Sequence, residues 1–169
     1  PLNVWVSGDS HGEWRLLEYK IKESGLKDAI ILIAGDCGFG FEKPQFYTNT
    51  YNKMKKTLTK SNVTLLFIRG NHDDPSYFNE EKIDFKYFKT IPDYSIITVG
   101  NDNSVKNILC VGGAISIDRL YRMSRDIERS FYSEIKKKSY WSDECVKYEP
   151  EIINKIKADG IDINFVVTH

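Results

Sequence analysis

Three short apolar runs, separated by two amphipathic segments, constrain the fold of this chain most. Residues 2–7, 29–34 and 63–69 have the length and composition of buried strands, and the second run is apolar on both faces, as in parallel sheets. Residues 13–24 and 44–60 repeat apolar side chains at helical spacing. The order β-α-β-α-β predicts a parallel sheet joined by right-handed crossovers.

The second half of the chain predicts a different arrangement. Residues 94–99 and 108–111 form two short apolar runs around a polar segment at 100–104, a pattern typical of a β-hairpin. Residues 149–158 have the periodicity of a helix, with a proline suited to the first turn. Residues 163–167 then predict a last strand.

The rest of the sequence bears on domain organisation. Residues 119–141 are polar and lack a sustained period, so we expect a long excursion with some helix. No repeat, low-complexity tract or linker is visible, so we expect one domain over residues 1–169. Because the chain stops directly after an apolar run, we expect that domain to be truncated at its C-terminus. Trp5 and Trp14 are expected in the core.

The composition argues against several classes of partner. Lys and Arg number 24 and Asp and Glu number 24, and this balance argues against a broadly basic nucleic-acid binder, although a local basic patch stays an alternative. The longest apolar stretch, residues 29–34, is too short to cross a bilayer, and no secretory signal is visible. The three widely spaced cysteines form neither a disulfide framework nor a zinc pair. We therefore expect a cytoplasmic protein without a membrane partner.

Residues of the types that bind metals follow four of the apolar runs directly. In open α/β sheets, ligands bind at the carboxyl ends of the parallel strands. We therefore expect these four segments to converge in space, although they are far apart in the sequence. The candidate site residues are Asp9, His11, Asp36, Asn71 and His169, with His72 and Asp73 beside them.

The chemistry of this set points to metal-assisted phosphoryl transfer. Carboxylate, imidazole and amide oxygen suit Mn, Fe, Zn or Ni better than a thiolate-loving metal. Two carboxylates in one small site repel each other unless cations lie between them. Two metals roughly 3.5–4 Å apart can clamp a phosphoryl group and deprotonate a water at neutral pH. Each motif alone is also an ordinary polar turn, so the prediction depends on the ordered set.

The ordered set resembles the calcineurin-like metallophosphoesterases, whose pattern runs D-x-H, G-D, G-N-H-[DE], H and finally G-H-x-H. The last motif is absent from this chain, so the resemblance implies that each metal site lacks one histidine here. It also implies an α/β fold of four layers, α-β-β-α, with two mixed β-sheets, related to bacterial or phage members and to the Ser/Thr protein phosphatases. The residues that carry the resemblance are Asp9-x-His11, Gly35-Asp36, Gly70-Asn71-His72-Asp73 and His169.

The resemblance implies two divalent metal ions and a ligand set for each. Asp9 and His11 would bind one ion, and Asn71 and His169 would bind the other. Asp36 would bridge the two ions. The metals would come from Mn, Fe, Zn and Ni, with Mn the choice in vitro.

The same resemblance implies catalytic and substrate-binding residues. His72 would protonate or polarise the leaving-group oxygen, and Asp73 would hold the His72 imidazole in orientation. Arg69 would grip the phosphate through its guanidinium fork; the alternative is a strand-end arginine that reaches solvent. Arg119 and its arginine-rich neighbours, among them Arg122, would bind an anionic substrate or, alternatively, form a solvated face.

Together these features predict metal-dependent hydrolysis of a phosphoester by an activated hydroxide. Because Arg69 suits a dianionic phosphate, we expect a phosphomonoesterase or phosphoprotein phosphatase, with a phosphorylated small molecule or a phosphoprotein as substrate. The alternatives are a phosphodiesterase or nuclease of the same superfamily, or a non-catalytic interaction scaffold with the same fold.

Overall fold

Two β-sheets and five helices make up the computed structural model, which describes residues 3–101, 104–132 and 138–169. The elements in chain order are β1 (Asn3–Gly8), α1 (Trp14–Glu23), β2 (Ala29–Ala34), α2 (Pro44–Ser61), β3 (Val63–Ile68), α3 (Ser76–Asn79), β4 (Asp84–Phe85), β5 (Phe88–Thr90), β6 (Ser95–Asn101), β7 (Ser104–Val111), α4 (Arg119–Tyr132), α5 (Pro150–Ala158) and β8 (Phe165–Thr168).

The first sheet has the strand order β1-β2-β3-β5-β4. Strands β1, β2, β3 and β5 are parallel, as the β-α-β-α-β pattern predicts, and β4 pairs with β5 in the antiparallel sense. Gly8 is in register with Ala34, and Ala34 is in register with Ile68. The carboxyl ends of the first three strands therefore lie side by side.

The second sheet has the order β6-β7-β8. The antiparallel pair β6-β7 is the predicted hairpin, and β8 runs parallel to β7. The two sheets meet through a small apolar cluster made of Leu32, Leu66, Ile68, Ile108 and Cys110. With two mixed sheets and flanking helices, the structure confirms the expected fold class.

The larger core lies between the first sheet and the helices α1 and α2. Phe39 is at its centre, fully buried, with its ring 5.1–6.2 Å between centroids from a group of aromatic rings: Trp14, Tyr47, Phe67, Tyr77, Phe78 and Phe88. Because Phe39 follows Asp36 by three residues, this packing anchors the loop after β2. Within the described ranges, no helix combines the length and apolar character that a membrane span requires.

Three elements and one core residue differ from the sequence expectations. The segment between β3 and β6 contains α3, β4 and β5, which have only two to four residues each and leave no periodic pattern to detect. The excursion expected over residues 119–141 begins with the helix α4, in agreement with the expectation of some helix there. Trp5, expected in the core, is 55% exposed because β1 is an edge strand, whereas Trp14 is buried as expected.

Candidate metal centre

The structure brings together side chains from four strand ends. The Nε2 atom of His169 lies 2.9 Å from Asn71 Oδ1 and 3.4 Å from Asp36 Oδ1. Its Nδ1 atom lies 3.9 Å from Asp9 Oδ1. One ligand atom each of Asp9, Asp36 and His169 falls within 4.8 Å of the others. The carboxyl ends of the strands therefore converge on a single cluster of oxygen and nitrogen donors.

Asp36 lies close to two of the histidines in this cluster. Its Oδ1 atom faces His169 and also accepts a hydrogen bond from the backbone N–H of His72 at 2.9 Å. Its Oδ2 atom lies 4.0 Å from Nε2 of His11. The side chain is buried, whereas that of His11 is 60% exposed. The two carboxylate oxygens of Asp36 thus face different histidines.

Three of the candidate ligands have a left-handed backbone conformation. The φ angles are +47° at Asp9, +42° at His11 and +46° at Asp36. This region is uncommon for residues other than glycine, and such conformations are often found at functional sites. The backbone N–H of His11 donates to the carbonyl of Asp36 at 2.7 Å, which ties the two strained loops together.

Gly70 allows the ends of β2 and β3 to approach closely. A Cβ atom at this position would lie 2.0 Å from the backbone nitrogen of Asp36 and 2.1 Å from its Oδ1 atom. Any side chain here would therefore push the Asp36 carboxylate out of place. The glycine is required by close approach rather than by an unusual φ angle.

The structure corrects the role expected of Asp73. Its carboxylate is fully buried and accepts four backbone N–H hydrogen bonds: Oδ1 from Gly38 and Phe39, and Oδ2 from Cys37 and Gly70, at 2.7–2.9 Å. A carboxylate has about four acceptor positions, so none is left for the His72 imidazole. Burial raises the pKa of the Asp73 carboxyl, and the N–H donors act in the opposite direction. Asp73 therefore holds two ligand-bearing loops together instead of orienting a histidine.

The structure also corrects the role expected of Arg69. Its guanidinium is 3% exposed and donates to Oδ2 of Asp93 at 2.7 and 3.2 Å and to the Glu144 carbonyl at 2.7 Å. A Cβ atom at Gly113 would lie 2.7 Å from both terminal nitrogens of the guanidinium, so the chain wraps closely around it. Arg69 neither grips a phosphate nor reaches solvent in this arrangement. It joins β3 to the loop that contains Glu144.

The remaining predicted residues have different surroundings. The His72 imidazole is half-buried and lies edge-on to His11, with 6.2 Å between the ring centroids. Among the described residues, the structure gives it no carboxylate partner. Arg119 begins α4 and is exposed, and no described contact joins it to the cluster.

Behind Asn71 lies a buried polar network that sequence reasoning missed. The Asn71 Nδ2 donates to Oγ of Ser116 at 2.6 Å, and that hydroxyl donates to Oε2 of Glu144 at 2.6 Å. The same carboxylate oxygen accepts from Nη2 of Arg122 at 2.7 Å. Since the Ser116 hydroxyl, held by Glu144, accepts from the amide nitrogen, the Asn71 oxygen faces His169. The network thus sets which way the Asn71 amide points.

Only part of this network left a signal in the sequence. Arg122, expected at a substrate site or on a solvated face, is 5% exposed and lies over the Tyr140 ring. The Gly112-Gly113 pair before Ser116 marks a sharp strand exit, but nothing local distinguishes Glu144 from a surface acid. Its partners are 22 and 28 residues away in the chain.

The donor set fits divalent metal ions. Asp9, His11, Asp36, Asn71 and His169 offer carboxylate, imidazole and amide oxygen, the ligands that Mn, Fe, Zn and Ni accept. Within the described part of the chain, the ion-pair partners of Asp9 and Asp36 are histidines, with no lysine or arginine among them. Cations are therefore the natural compensation for the two neighbouring carboxylates.

Comparison with known families agrees with the fold. A family model for calcineurin-like phosphoesterases matches residues 2–169, so the chain belongs to this family. The match confirms the resemblance carried by the strand-end motifs. A comparison with curated proteins finds no match. Membership of the family implies metal-dependent hydrolysis of phosphoesters.

Proposed function

We propose that the protein hydrolyses phosphodiesters with two divalent metal ions held by Asp9, His11, Asp36, Asn71 and His169. The observation that carries the proposal is the placement of Asp36, whose two oxygens face His11 on one side and His169 on the other. A carboxylate that has a different candidate metal ligand beside each of its oxygens is suited to bridge two cations.

The charge around the cluster favours diesters over monoesters. The preference for monoesters depended on Arg69, and its guanidinium is fully engaged by Asp93 and backbone carbonyls. In the described residues, no other arginine or lysine forms an ion pair with Asp9 or Asp36, and Arg122 reaches only the backbone carbonyl of Asn71, at 3.5 Å. A phosphodiester carries one negative charge, so it needs less cationic help than a monoester dianion. Phosphomonoesters, phosphoproteins among them, are the second candidate class.

The residues of this chain would have separate roles in the hydrolysis. Divalent ions bound here would supply Lewis acidity and lower the pKa of a coordinated water. Asp9 and Asp36 supply the negative charge that retains the cations, and the Ser116–Glu144 network presents the Asn71 oxygen to them. His72, half-buried and edge-on to the His11 ring, would donate a proton or hydrogen bond to the leaving oxygen.

The experiment compares metal content and turnover in two matched variants. Purified protein is loaded with Mn, its metal equivalents are measured by mass spectrometry, and hydrolysis of bis-p-nitrophenyl phosphate and p-nitrophenyl phosphate is followed. The Asp36→Asn variant should lose both metals and turnover. Asp84→Asn, an exposed acid paired with Lys89 away from the cluster, should keep both.

Three outcomes would contradict different parts of the proposal. Two metal equivalents retained by Asp36→Asn would refute the bridging assignment. Faster turnover of the monoester would favour the phosphatase alternative. Metal binding without turnover of either ester would support the non-catalytic scaffold.

A further inference from the structure

A cavity of about 250 Å³ opens directly beside the candidate metal centre. It lies between the loop after β1, the loop after β2 and the start of α2. His11 and His72 form its inner wall, and Phe41, Glu42 and Phe46 form its outer wall. His11 belongs both to this cavity and to the candidate centre, where its Nε2 atom lies 4.0 Å from Asp36 Oδ2, so the cavity borders the space in which a phosphate ester would bind.

The two phenylalanines of the outer wall are exposed but held in place from behind. Phe46 is 44% exposed, and its ring packs against Trp14 at 6.0 Å and Tyr47 at 5.6 Å between centroids. Phe41 is 37% exposed and meets the buried Trp141 edge-on at 5.5 Å. Aromatic faces fixed in this way bind another ring at little cost in side-chain entropy.

The charge of the cavity restricts its occupant. No lysine or arginine is among the described residues that line it. A second phosphate group or a polyanionic strand would lose hydration there without gaining a cationic partner. An uncharged ring meets no such penalty and gains contact with Phe41 and Phe46.

From these observations we infer that the cavity binds an uncharged aromatic group esterified to the phosphorus of the substrate. The inference rests on the proposed function and narrows its substrate class to phosphodiesters with at least one aryl or nucleoside group. A phenolic ring and a nucleobase share the flat, uncharged surface that the cavity fits, and the test separates them.

The test uses phosphinates, which carry one negative charge and have no ester bond to hydrolyse. Titration calorimetry of the Mn-loaded protein compares dimethylphosphinate, methylphenylphosphinate and a nucleoside with a methylphosphinate at its 5′ carbon. The preferred aromatic compound should bind about 2- to 12-fold more tightly than dimethylphosphinate, the range expected for one aromatic pair. Tighter binding of the phenyl compound would indicate a phenolic ester, and tighter binding of the nucleoside would indicate a nucleotide ester.

Variants then locate the preference in the cavity. In Phe41→Ala and Phe46→Ala, the ratio of the aromatic to the dimethyl affinity should fall toward one. Phe131→Ala, which removes a 77% exposed phenylalanine of α4 outside the cavity, should keep the wild-type ratio. The ratio is the readout because general damage to the metal centre affects both compounds alike.

These measurements distinguish failure of the proposed function from failure of the cavity inference. If none of the phosphinates binds the Mn-loaded protein, the proposed function fails and the cavity inference fails with it. If dimethylphosphinate binds and no aromatic compound binds more tightly, only the cavity inference is overturned. An aromatic preference that survives both phenylalanine variants would also overturn it.

Discussion

Asp73→Asn is the substitution whose effect the structure defines most fully. The wild-type carboxylate accepts two N–H groups on each oxygen, from the backbone of Gly38 and Phe39 and of Cys37 and Gly70. Asparagine has almost the same shape but replaces one oxygen with an NH₂ group. Two backbone donors would then face another donor in a fully buried position.

The expected magnitude follows from those two lost acceptors. Each buried donor left without a partner costs about 1–3 kcal/mol, so the two together cost about 2–6 kcal/mol. Burial raises the pKa of the Asp73 carboxyl, so removing the charge recovers part of its desolvation free energy. We therefore expect a loss of roughly 2–4 kcal/mol in the free energy of unfolding, a large share of a typical 5–15 kcal/mol.

Urea unfolding of the metal-free protein measures this loss. Asp84→Asn is the matched control, since that acid is exposed and its ion pair with Lys89 should contribute less than about 1 kcal/mol. The opposite pattern would refute the reasoning: stability within about 0.5 kcal/mol of wild type, together with a turnover as low as that of His72→Ala. Such a result would return Asp73 to the role of orienting the His72 imidazole.

Three further predictions concern the metal centre. Ser116→Ala should weaken Mn binding by about 10- to 100-fold in titration calorimetry, and Ser116→Thr, which keeps the hydroxyl, should restore it; equal affinities would exclude the orienting network. His11→Gly should relieve a left-handed backbone, so the melting temperature without metal should not fall while the shift produced by Mn shrinks. His72→Ala should lower turnover by about 10²–10⁴-fold at unchanged metal content, with a larger loss for poor leaving groups; equal losses for good and poor leaving groups would remove the acid role.

The parallel sheet and the location of the site followed from local patterns. The runs that became β1, β2 and β3 are mainly apolar, and close to the end of each a glycine is followed directly by Asp9, Asp36 or Asn71. Parallel strands in register must bring their carboxyl ends to one edge, so the convergence of Asp9, Asp36 and Asn71 needed no information beyond strand order. The element boundaries of these strands and of α1 and α2 differ from the expected ones by no more than a residue or so.

Only the tertiary structure decided which polar residues face the centre and which hold its loops. Arg69 and Asp73 each stand two residues from Asn71, yet their side chains are engaged by Asp93, Glu144 and the backbone of the loop after β2. Those partners lie between 24 and 75 residues away in the chain, where no local pattern reaches. A buried charge takes whichever partner compensates its lost hydration, and that partner exists only once distant segments have packed together.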